Sequence, residues 1–512
     1  MNTPINFRAF LIVALSVTAA VFCVYAYAFS RAVGIVLGCI LLCAICAELA
    51  VSILKFRREK VRLRVVLAFA LALIASTSAF SVGCANINAW ARSQEQGGSQ
   101  AVIGRVCYVD VRSGEYRVDL DELTLGGTKA DGVLRLSFDP DISAIAESIT
   151  MGDRIAFGAN VKINELYEDG EINGSAYRSD IRYYATITDD NVSIMRGNPK
   201  PLERFLQALH GLYLDNMGEK YGNIAFSMIT GDKHSLDGDI TDYFSAAGLG
   251  HIMAVSGLHI GFLTIVLNLV LCKVGKKIRL PIIGAVLLAY TVMADFSPSV
   301  VRAVVMAFAS SVALIVGGRH DILSSLLCAF SLILAVKPLY LFEAGFLLSF
   351  GAILGIAMFA NMIGRALRRH GANNKVSSAI SASVSVSVGI LPAEVYFFNQ
   401  FQLTAVLANM ILLPYVSVVF ISIFVLTPIA AIPGCGAVLI ACKYLLIPLD
   451  YISFGLAQIP YGVLYIKSRA AVFACYPVMF GASDFFMLKK GKAASIIYAA
   501  VVCIAIIAVC AV

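Results

Sequence analysis

The amino-acid sequence predicts a polytopic α-helical membrane protein of about 13 spans, with a small β-barrel domain inserted outside the membrane. Of its 512 residues, 59% are hydrophobic and only 14% are charged, and the mean hydropathy is +0.82. Soluble domains are about 45–50% apolar and about 25% charged. Apolar runs also recur near the length of roughly 20 residues that a spanning helix needs, and one polar interval shows strand-like alternation. This pattern excludes a soluble multidomain enzyme, a disordered protein and a disulfide scaffold.

Thirteen apolar runs are predicted to cross the membrane, three before the polar interval and ten after it. Their predicted bounds are 9–28, 32–54, 65–83, 251–272, 280–296, 298–317, 323–337, 342–361, 376–398, 403–425, 434–458, 470–487 and 493–512. The chain is therefore divided into N-terminal helices (1–84), an extracytoplasmic domain (85–200), an amphipathic connecting segment (201–250) and a membrane domain (251–512).

Basic loops predict the orientation of these spans. Lys55–Arg64, between the second and third spans, contains six basic residues in ten, and short loops rich in Lys and Arg stay in the cytoplasm. The N-terminus is then cytoplasmic and 85–200 is outside. With every span counted, later basic loops such as Lys273–Arg279 also fall inside. Arg8 and the small residues after the first run are also typical of a signal peptide, but we expect an uncleaved helix.

The polar interval 85–200 predicts a small, mostly β domain, expected to be an OB-like barrel of about five strands. Alternation is visible in Val102–Asp110, Tyr116–Leu120 and Ile155–Ile163, with turn residues between them. The interval carries 18 acidic and 12 basic residues, a net charge of −6, which leaves +13 on the rest of the chain. The total of +7 therefore reports orientation in the membrane and is not itself a sign of nucleic-acid binding.

Most of the 13 cysteines lie in apolar runs, where they behave as small hydrophobic residues. Cys84 and Cys107 are near or within polar sequence. If that segment faces an oxidising compartment, a disulfide between them is one expectation and two free thiols the other.

Several motifs of enzymes are missing from the sequence. Neither Gly275-Lys276 nor Gly491-Lys492 has the glycine and the Ser/Thr of a phosphate-binding loop. The six histidines form no metal-ligating pattern, and there is no C-x-x-C pair. We therefore expect a chain that is not an enzyme, with no ATPase, no bound metal and no cofactor.

The most unusual stretch is Ala246–Gly261, where two histidines and a serine enter an apolar run rich in glycine and alanine. In one interpretation it is a tight packing seam, since Gly257 and Gly261 form a G-x-x-x-G pair and the histidines bond nearby carbonyls. In the other it is a discontinuous helix that lines a substrate path, because non-helical backbone at membrane depth occurs where it lines a cavity. The second interpretation is favoured, with His251, Ser256 and His259 as candidate functional residues.

A serine and a histidine in a membrane also suggest an intramembrane serine protease. That site resembles the rhomboid pattern, in which the serine follows G-x and pairs with a distant histidine on another helix. Here Ala254 precedes Ser256 by two residues, and the later histidines, His320 and His370, fall in predicted loops. This interpretation ranks far below the others.

Three charged residues lie at shallow positions in predicted spans. Arg302 sits about one turn inside the membrane, where it either snorkels or pairs with Asp295, or contacts an anion. Glu343 and Glu394 lie near the predicted outer ends of their spans and are secondary candidates, more readily explained as structural residues.

The stretch around His251–Leu263 resembles the signature G-L-x-H-[IL]-x-A-x-S-G-L-H-[IV]-G of the ComEC-type competence family of membrane channels. Other stretches match in order, over roughly residues 205–440. They are Thr230-Gly231 through Phe244, Ser297-Pro-Ser-Val-Val-Arg-Ala303 with Met306, Lys337-Pro338, Gly345-Phe-Leu-Leu-Ser-Phe350, Phe398-Asn-Gln-Phe401, Ala408-Asn409 and Leu413-Pro414.

This resemblance implies a channel that conducts single-stranded DNA across the bacterial inner membrane during natural transformation. It implies an extracytoplasmic DNA receptor and a cytoplasmic helicase-like ATPase as partners, and leaves room for a homo-oligomer. Carried over by motif, the functional residues are His251, Ser256, Gly257, His259 and Arg302, with Asn409 a weaker candidate.

One departure from the family pattern affects the expected activity. Many members end in a metallo-β-lactamase-like domain that is thought to degrade the non-transported strand, whereas this sequence ends in a hydrophobic segment at Val512. We therefore expect a form without that domain, with the nuclease supplied by another protein, or a paralogue with another role. A small-solute or lipid-precursor transporter with the same fold is the alternative function.

Overall fold

The computed structural model describes residues 9–59, 63–93, 96–112, 115–139, 148–168, 171–187, 191–233, 235–253, 255–315, 321–402, 404–459 and 463–465, with 473, 475 and 478. Three long helices open the chain: α1 (Ala9–Phe29), α2 (Arg31–Glu59) and α3 (Leu63–Ser93).

Helix α3 continues past the predicted end of its span at 83, so the predicted boundary between 84 and 85 lies inside a helix. Its polar C-terminal part stays helical because its side chains bond to neighbouring elements. The Tyr27 hydroxyl donates to Asn88 at 3.0 Å, and the Trp90 indole N–H donates to the carbonyl of Asn164 in the β domain at 3.1 Å. The helix therefore joins the membrane part to the β domain.

Within the described residues of the β domain there are nine strands and one short helix. These are β1 (Gly98–Arg112), β2 (Glu115–Leu125), β3 (Thr128–Lys129), β4 (Val133–Phe138), β5 (Arg154–Ile163), β6 (Tyr167–Glu168), β7 (Glu171–Ile172), α4 (Gly174–Ser179), β8 (Ile181–Ile187) and β9 (Ser193–Met195).

Five of these strands close into a barrel in the order β1-β2-β4-β8-β5, with β5 pairing back to β1. All neighbours are antiparallel except β4 and β8, which are parallel. The 15-residue strand β1 closes the barrel because it bends, pairing with β5 over Gly98–Arg105 and with β2 from Val102 onward. Gly104 lies at the bend, where an added Cβ would approach the Leu120 Cβ to 2.9 Å. The predicted barrel of about five strands is confirmed.

Asp153 stabilises the turn that leads into β5. Its carboxylate accepts hydrogen bonds from the Thr150 N–H at 2.9 Å, the Gly197 N–H at 3.1 Å and Arg196 Nη1 at 2.7 Å. Burial alone would raise the pKa of Asp153, but these hydrogen bonds more than offset it and hold the pKa below the ordinary 3.8.

After the barrel the chain is helical. The elements are α5 (Pro201–Met217), α6 (Glu219–Thr230), α7 (Gly238–Ala246), α8 (Gly257–Val270), α9 (Lys276–Met293), α10 (Pro298–Ile315), α11 (Ile322–Val336), a 3₁₀ turn (Pro338–Phe342), α12 (Ala344–Gly355), a π turn (Ile356–Ala360), α13 (Asn361–Arg369), α14 (Asn374–Phe398), β10 (Gln400–Gln402), α15 (Thr404–Ala430), a 3₁₀ turn (Gly436–Val438), α16 (Leu439–Ala457) and β11 (Val463–Tyr465), which pairs with β10.

The predicted fold class of membrane helices with an inserted barrel is confirmed. Among the described residues, seven helices are long and apolar enough to cross a membrane: Phe10–Phe29, Arg31–Leu54, Val65–Ser93, Ala344–Arg369, Asn374–Phe398, Ala408–Ala430 and Gly436–Ala457. Four further predicted spans are shorter apolar helices: Gly257–Val270, Ile278–Met293, Pro298–Ser311 and Ile322–Val336. The last two predicted spans, 470–487 and 493–512, lie outside the described residues apart from 473, 475 and 478.

Separate apolar cores join these elements. One packs α1, α2 and α3 against α11 and α12, and a second packs α5, α6 and α7 against α15 and α16. The barrel has its own core, built from the inward positions of its alternating strands. The cavity described next lies between these packed units.

Candidate functional site: a cavity around a broken helix

Helix α8 begins at Gly257, so the predicted span 251–272 is corrected to a shorter helix. Of the residues between α7 and α8 that the structure describes, 247–253 and 255–256, none is helical, and they form turns and irregular backbone. The predicted span is therefore not one continuous helix, in agreement with the second interpretation, and a substrate path along it stays a prediction. Polar backbone groups freed at membrane depth need partners inside the protein. Side chains from three other elements supply them: Ser227 to the Met253 carbonyl (3.0 Å), Lys233 to Gly250 (3.3 Å) and Gln402 to Ser245 (2.6 Å).

His259 fixes the start of helix α8. Its Nδ1 accepts a hydrogen bond from the Ser256 backbone N–H at 3.0 Å, and its ring packs on Phe420 with centroids 4.3 Å apart. The side chain is buried, with 2% of its surface exposed. Because Nδ1 is an acceptor, a neutral ring carries its proton on Nε2. His259 therefore acts as a positioning residue for Ser256 and for the end of the non-helical segment.

The same geometry argues against a serine-protease pair. Ser256 Oγ lies 3.5 Å from His259 Nδ1, whereas a general base needs about 2.6–3.2 Å. The lone pair of Nδ1 is already directed at the Ser256 backbone N–H. His259 therefore has no basic nitrogen available to the serine hydroxyl in this arrangement.

His251 lies in the middle of the non-helical segment and is exposed to the interior cavity. Its side chain bonds to the Gly248 carbonyl. Gly248 has φ +79° and an added Cβ would collide with Ala405 of α15, so glycine is required there. This close approach places the His251 ring on the cavity wall.

Arg302 lies in the first turns of α10, and only 4% of its surface is exposed. Its Nη1 donates to the Ser349 carbonyl, and its guanidinium carbon lies 5.8 Å from the centre of the Phe350 ring. Nε is buried and has no hydrogen-bond partner. No carboxylate of a described residue lies within ion-pair distance, so the predicted alternative of a pair with Asp295 is not formed. A buried guanidinium without an anion is costly, which makes Arg302 a candidate anion contact.

Gly257 is needed for this arrangement. A Cβ at position 257 would overlap Arg302 Nη2, the terminal nitrogen that faces the start of α8. The absence of a side chain at Gly257 thus lets the guanidinium approach the N-terminus of the helix.

Asn409 and Glu394 line the cavity from α15 and α14. The side-chain oxygen of Asn409 is buried without a hydrogen-bond partner, in α15. The buried carboxylate of Glu394, in α14, accepts a hydrogen bond from the Gln402 backbone N–H. The Gln402 side chain in turn donates a hydrogen bond to the Ser245 carbonyl. Glu394 therefore contacts the end of α7 indirectly, through Gln402.

Glu343 lines the cavity and makes two local contacts. Its Oε2 accepts from the Phe346 N–H at 2.6 Å and so caps α12, while Oε1 lies 3.3 Å from Arg178 Nη1 of the β domain. Two more polar contacts join the two domains: Arg105 to Glu203 of α5 at 3.0 Å, and the Tyr108 hydroxyl to Asp232 at 3.1 Å.

Cys84 and Cys107 are both free, so the disulfide proposed as one expectation is not formed. Cys84 packs in the apolar cluster of α3, and the Cys107 thiol donates to the Asp119 carbonyl within the barrel at 3.2 Å. Burial, together with the carboxylates of Asp121 and Asp119, raises the pKa of the Cys107 thiol to about 12. The pairing fails because the two cysteines belong to different packed units.

One cavity of about 2560 Å³ connects these residues. It begins at barrel residues including Tyr108 and Arg178, passes α5 and α6, and reaches α8, α10, α12, α14 and α15. Seven of the eight residues predicted from the sequence line it: His251, Ser256, Gly257, Arg302, Glu343, Glu394 and Asn409. His259 is not among the lining residues and acts through Ser256.

The charge of the lining is mostly negative. Among the described residues, its three cationic side chains are Arg178, Lys233 and Arg302, and its seven carboxylates are Glu203, Asp215, Glu219, Asp232, Asp295, Glu343 and Glu394. Glu203 and Glu343 are neutralised by barrel arginines. Among the described residues no three His, Cys, Asp or Glu side chains come together as metal ligands.

Sequence reasoning missed two buried polar clusters. Asp450, in the apolar helix α16, pairs with Lys220 at 2.6 Å and accepts hydrogen bonds from Tyr221 and Tyr243. A lone acidic residue in an apolar run is a signal that would have found it. Arg105, which bonds Asp121 and Glu203, carries no comparable signal, because its partners come from distant parts of the chain.

The fold and the cavity define a multi-span membrane protein built around a broken helix that lines an internal, partly polar space. Sequence comparison identifies the class more closely. The model of the family described as "Competence protein" matches residues 228–490, slightly more than half of the chain. The chain belongs to this competence protein family.

A curated relative found in the comparison is ComE operon protein 3 of Bacillus subtilis (strain 168), which is 25% identical over 194 residues. The match covers 38% of this chain and 24% of the relative, so it spans about a quarter of that protein's length. No solved structure matches the chain.

Proposed function

We propose that this protein is the membrane channel through which single-stranded DNA passes into the cytoplasm during natural transformation. The main support for this proposal is one continuous cavity, which begins at the β domain and extends among the membrane helices to the start of α8. Its volume of about 2560 Å³ exceeds the roughly 300–1,000 Å³ of a pocket for a small ligand. Membership of the competence family supports a role in DNA uptake.

The barrel supports the proposal through its topology. A closed barrel of five strands in the order β1-β2-β4-β8-β5 is the arrangement that we infer to be of OB type. OB barrels bind single-stranded nucleic acids through one face and its loops. We propose that the barrel receives the strand on the extracytoplasmic side and passes it to the cavity that it helps to line.

Electrostatics restrict this proposal. Seven of the barrel's basic residues are already in ion pairs: Arg105, Arg135, Arg154, Arg178, Arg182, Arg196 and Lys200. A polyanion therefore finds few free cations on the barrel. We propose that stacking and apolar contact carry most of the binding there, and that Arg302 is the main charge contact inside the membrane.

The remaining parts of the proposal concern location and partners. We place the chain in the bacterial inner membrane with the N-terminus in the cytoplasm and the barrel outside. We propose an extracytoplasmic receptor that delivers DNA and a cytoplasmic helicase-like ATPase that pulls it, because the sequence has no phosphate-binding loop. A separate nuclease would degrade the other strand, and homo-oligomers are compatible with the proposal. The chain itself transports and does not catalyse.

The decisive experiment measures labelled DNA in the source bacterium, separating surface-bound from internalised label. Deletion of the gene and His259→Ala should abolish internalisation and leave surface binding unchanged, since His259 holds the start of α8. His370→Ala, at an exposed position after α13, is the matched control. His259→Asn keeps an acceptor for the Ser256 N–H and should restore part of the uptake. Normal internalisation in the deletion strain would refute the proposal.

The acidic lining favours a second candidate, a transporter of a small solute or a lipid precursor that uses the same fold. Seven carboxylates against three cations suit a neutral or cationic solute better than a polyanion. A deletion strain that takes up DNA normally but accumulates a lipid precursor or loses uptake of one solute would support this candidate over the channel.

A further inference from the structure

We infer that Arg302 and the N-terminus of α8 form a binding site for one phosphodiester group of the translocated strand. The inference rests on the proposed DNA channel and assigns the step at which the backbone of the strand is held. Helices α8, α10 and α12 meet at this guanidinium.

The guanidinium is held in place but is left largely unsatisfied. It extends from α10, and α12 fixes it through the Ser349 carbonyl and the Phe350 ring. That carbonyl is its one hydrogen-bond acceptor among the described residues, although arginine has five N–H donors. The side chain is 96% buried, since only 4% is exposed, and it lines the cavity.

The second donor set is the start of α8, a helix of 14 residues. The first N–H groups of an α-helix have no partner within the helix turns. In α8 the Ser256 N–H donates to His259 Nδ1 and the His259 N–H to Ser256, which leaves the N–H groups of Gly257 and Leu258 for a ligand. Together with the helix dipole, they form a site for an anion. Ser256 and Gly257, which begin this helix, both line the cavity.

Gly257 brings the two donor sets together. A Cβ on this residue would overlap Arg302 Nη2, so the guanidinium lies directly against the helix start. A buried guanidinium that lies against the start of α8, beside the N–H groups of Gly257 and Leu258, matches the oxygens of a phosphate group. A phosphodiester carries one negative charge, which balances the single charge of Arg302. Nucleic-acid backbones and lipid headgroups share this chemistry, and we assign the site to nucleic acid.

Two glycine variants test the geometry. Gly257→Ala adds a methyl group where the guanidinium lies and leaves the charge of Arg302 in place. Gly261→Ala is the matched control, because Gly261 lies one turn further along the same helix, lines the same cavity, and has open space around an added Cβ.

The measurement is binding of a fluorescent oligothymidylate to the purified full-length protein in detergent, over a series of salt concentrations. Gly257→Ala and Arg302→Gln should each weaken binding at least about tenfold, and Gly261→Ala should stay near wild type. The plot of log affinity against log salt concentration has a negative slope, and Arg302→Gln should make it shallower by about 0.7, the value for one phosphate contact of a single strand. A merely structural role would leave that slope unchanged.

Each outcome decides between the site and the channel. An unchanged salt slope in Arg302→Gln, or equal effects of the two glycine variants, would refute the phosphate site. Binding of oligothymidylate by the wild type would still support the channel in that case. In a further outcome, the wild type fails to bind oligothymidylate and yet is thermally stabilised by dimethyl phosphate or phosphatidylglycerol, with the stabilisation lost in Arg302→Gln. That result would support a phosphate site and refute its assignment to nucleic acid.

Discussion

Replacement of Arg105 should loosen the barrel at the point where it joins α5. The Arg105 side chain is 8% exposed and lies among three carboxylates, bonded to Asp121 at 2.6 and 2.9 Å and to Glu203 at 3.0 and 3.1 Å, with Glu122 at 3.6 Å. Arg105→Ala leaves these carboxylates facing each other. The half-exposed Lys200, 3.2 Å from Asp121, then remains as the nearest cation.

The expected cost follows from the burial of this cluster. Breaking a buried ion pair by removing one partner costs about 3–5 kcal/mol, and because Lys200 partly compensates, we expect a loss near about 3 kcal/mol. Arg154→Ala is the matched control, an arginine on the same barrel that pairs with Glu122 at 2.8 Å; Glu122 keeps Arg105 at 3.6 Å and Lys200 at 3.7 Å in this variant. Both side chains of that pair are exposed, at 58% and 45%, so its loss should cost less than about 1 kcal/mol.

Hydrogen exchange of the full-length protein in detergent measures the difference. The backbone amides of β1 and β2 exchange when the barrel opens locally. A loss of about 3 kcal/mol corresponds to about 150-fold faster exchange in Arg105→Ala, since each 1.36 kcal/mol is a factor of ten. The control should change by less than about fivefold. Equal acceleration in both variants, or less than about threefold in Arg105→Ala, would refute the reasoning.

Three further predictions concern other polar groups. Because the pKa of Asp153 is lowered on folding, its contribution to barrel stability is present above the unfolded pKa of about 3.9 and is lost as the pH falls through the folded value. Asp153→Asn should therefore flatten the acid end of a thermal-unfolding series, and an unaltered series would contradict this. Non-reducing peptide mass spectrometry should find Cys84 and Cys107 as separate thiols; a linked peptide would show that the chain bridges them. Asp450→Asn should destabilise the protein by about 1–2 kcal/mol, because Lys220 loses its partner. Adding Lys220→Met to that variant should cost little more, and fully additive losses in this double-mutant cycle would exclude the coupling.

The parts of this fold that depend on local pattern could be predicted from the sequence. Apolar runs located eleven helices, and alternation located β1, β2 and β5. The glycines and histidines around His251 favoured a broken helix. The start of α8 could not be placed by hydropathy, since the apolar run continues through Ser256, and the contact that fixes it is the hydrogen bond from the Ser256 N–H to His259.

Contacts between distant segments were beyond the reach of pattern. The pair of Arg105 with Glu203 and the cluster around Asp450 join residues roughly a hundred or more positions apart. Such pairs depend on tertiary packing, which a single sequence does not reveal. The same holds for the roles within the candidate site: the motif selected His259 and Arg302 together, but only the structure separates a buried positioning residue from one that lines the cavity.

The hydrogen bond from Gln402 to the Ser245 carbonyl also constrains how the protein is made. The two residues are 157 positions apart, so the ribosome has synthesised α8 through α14 before the later partner exists. The His259 ring likewise waits for Phe420. Ser227 and Lys233 precede the segment and can contact it before these two later partners exist. We therefore expect the cavity wall around this segment to be completed late in synthesis, once β10 and α15 have been made.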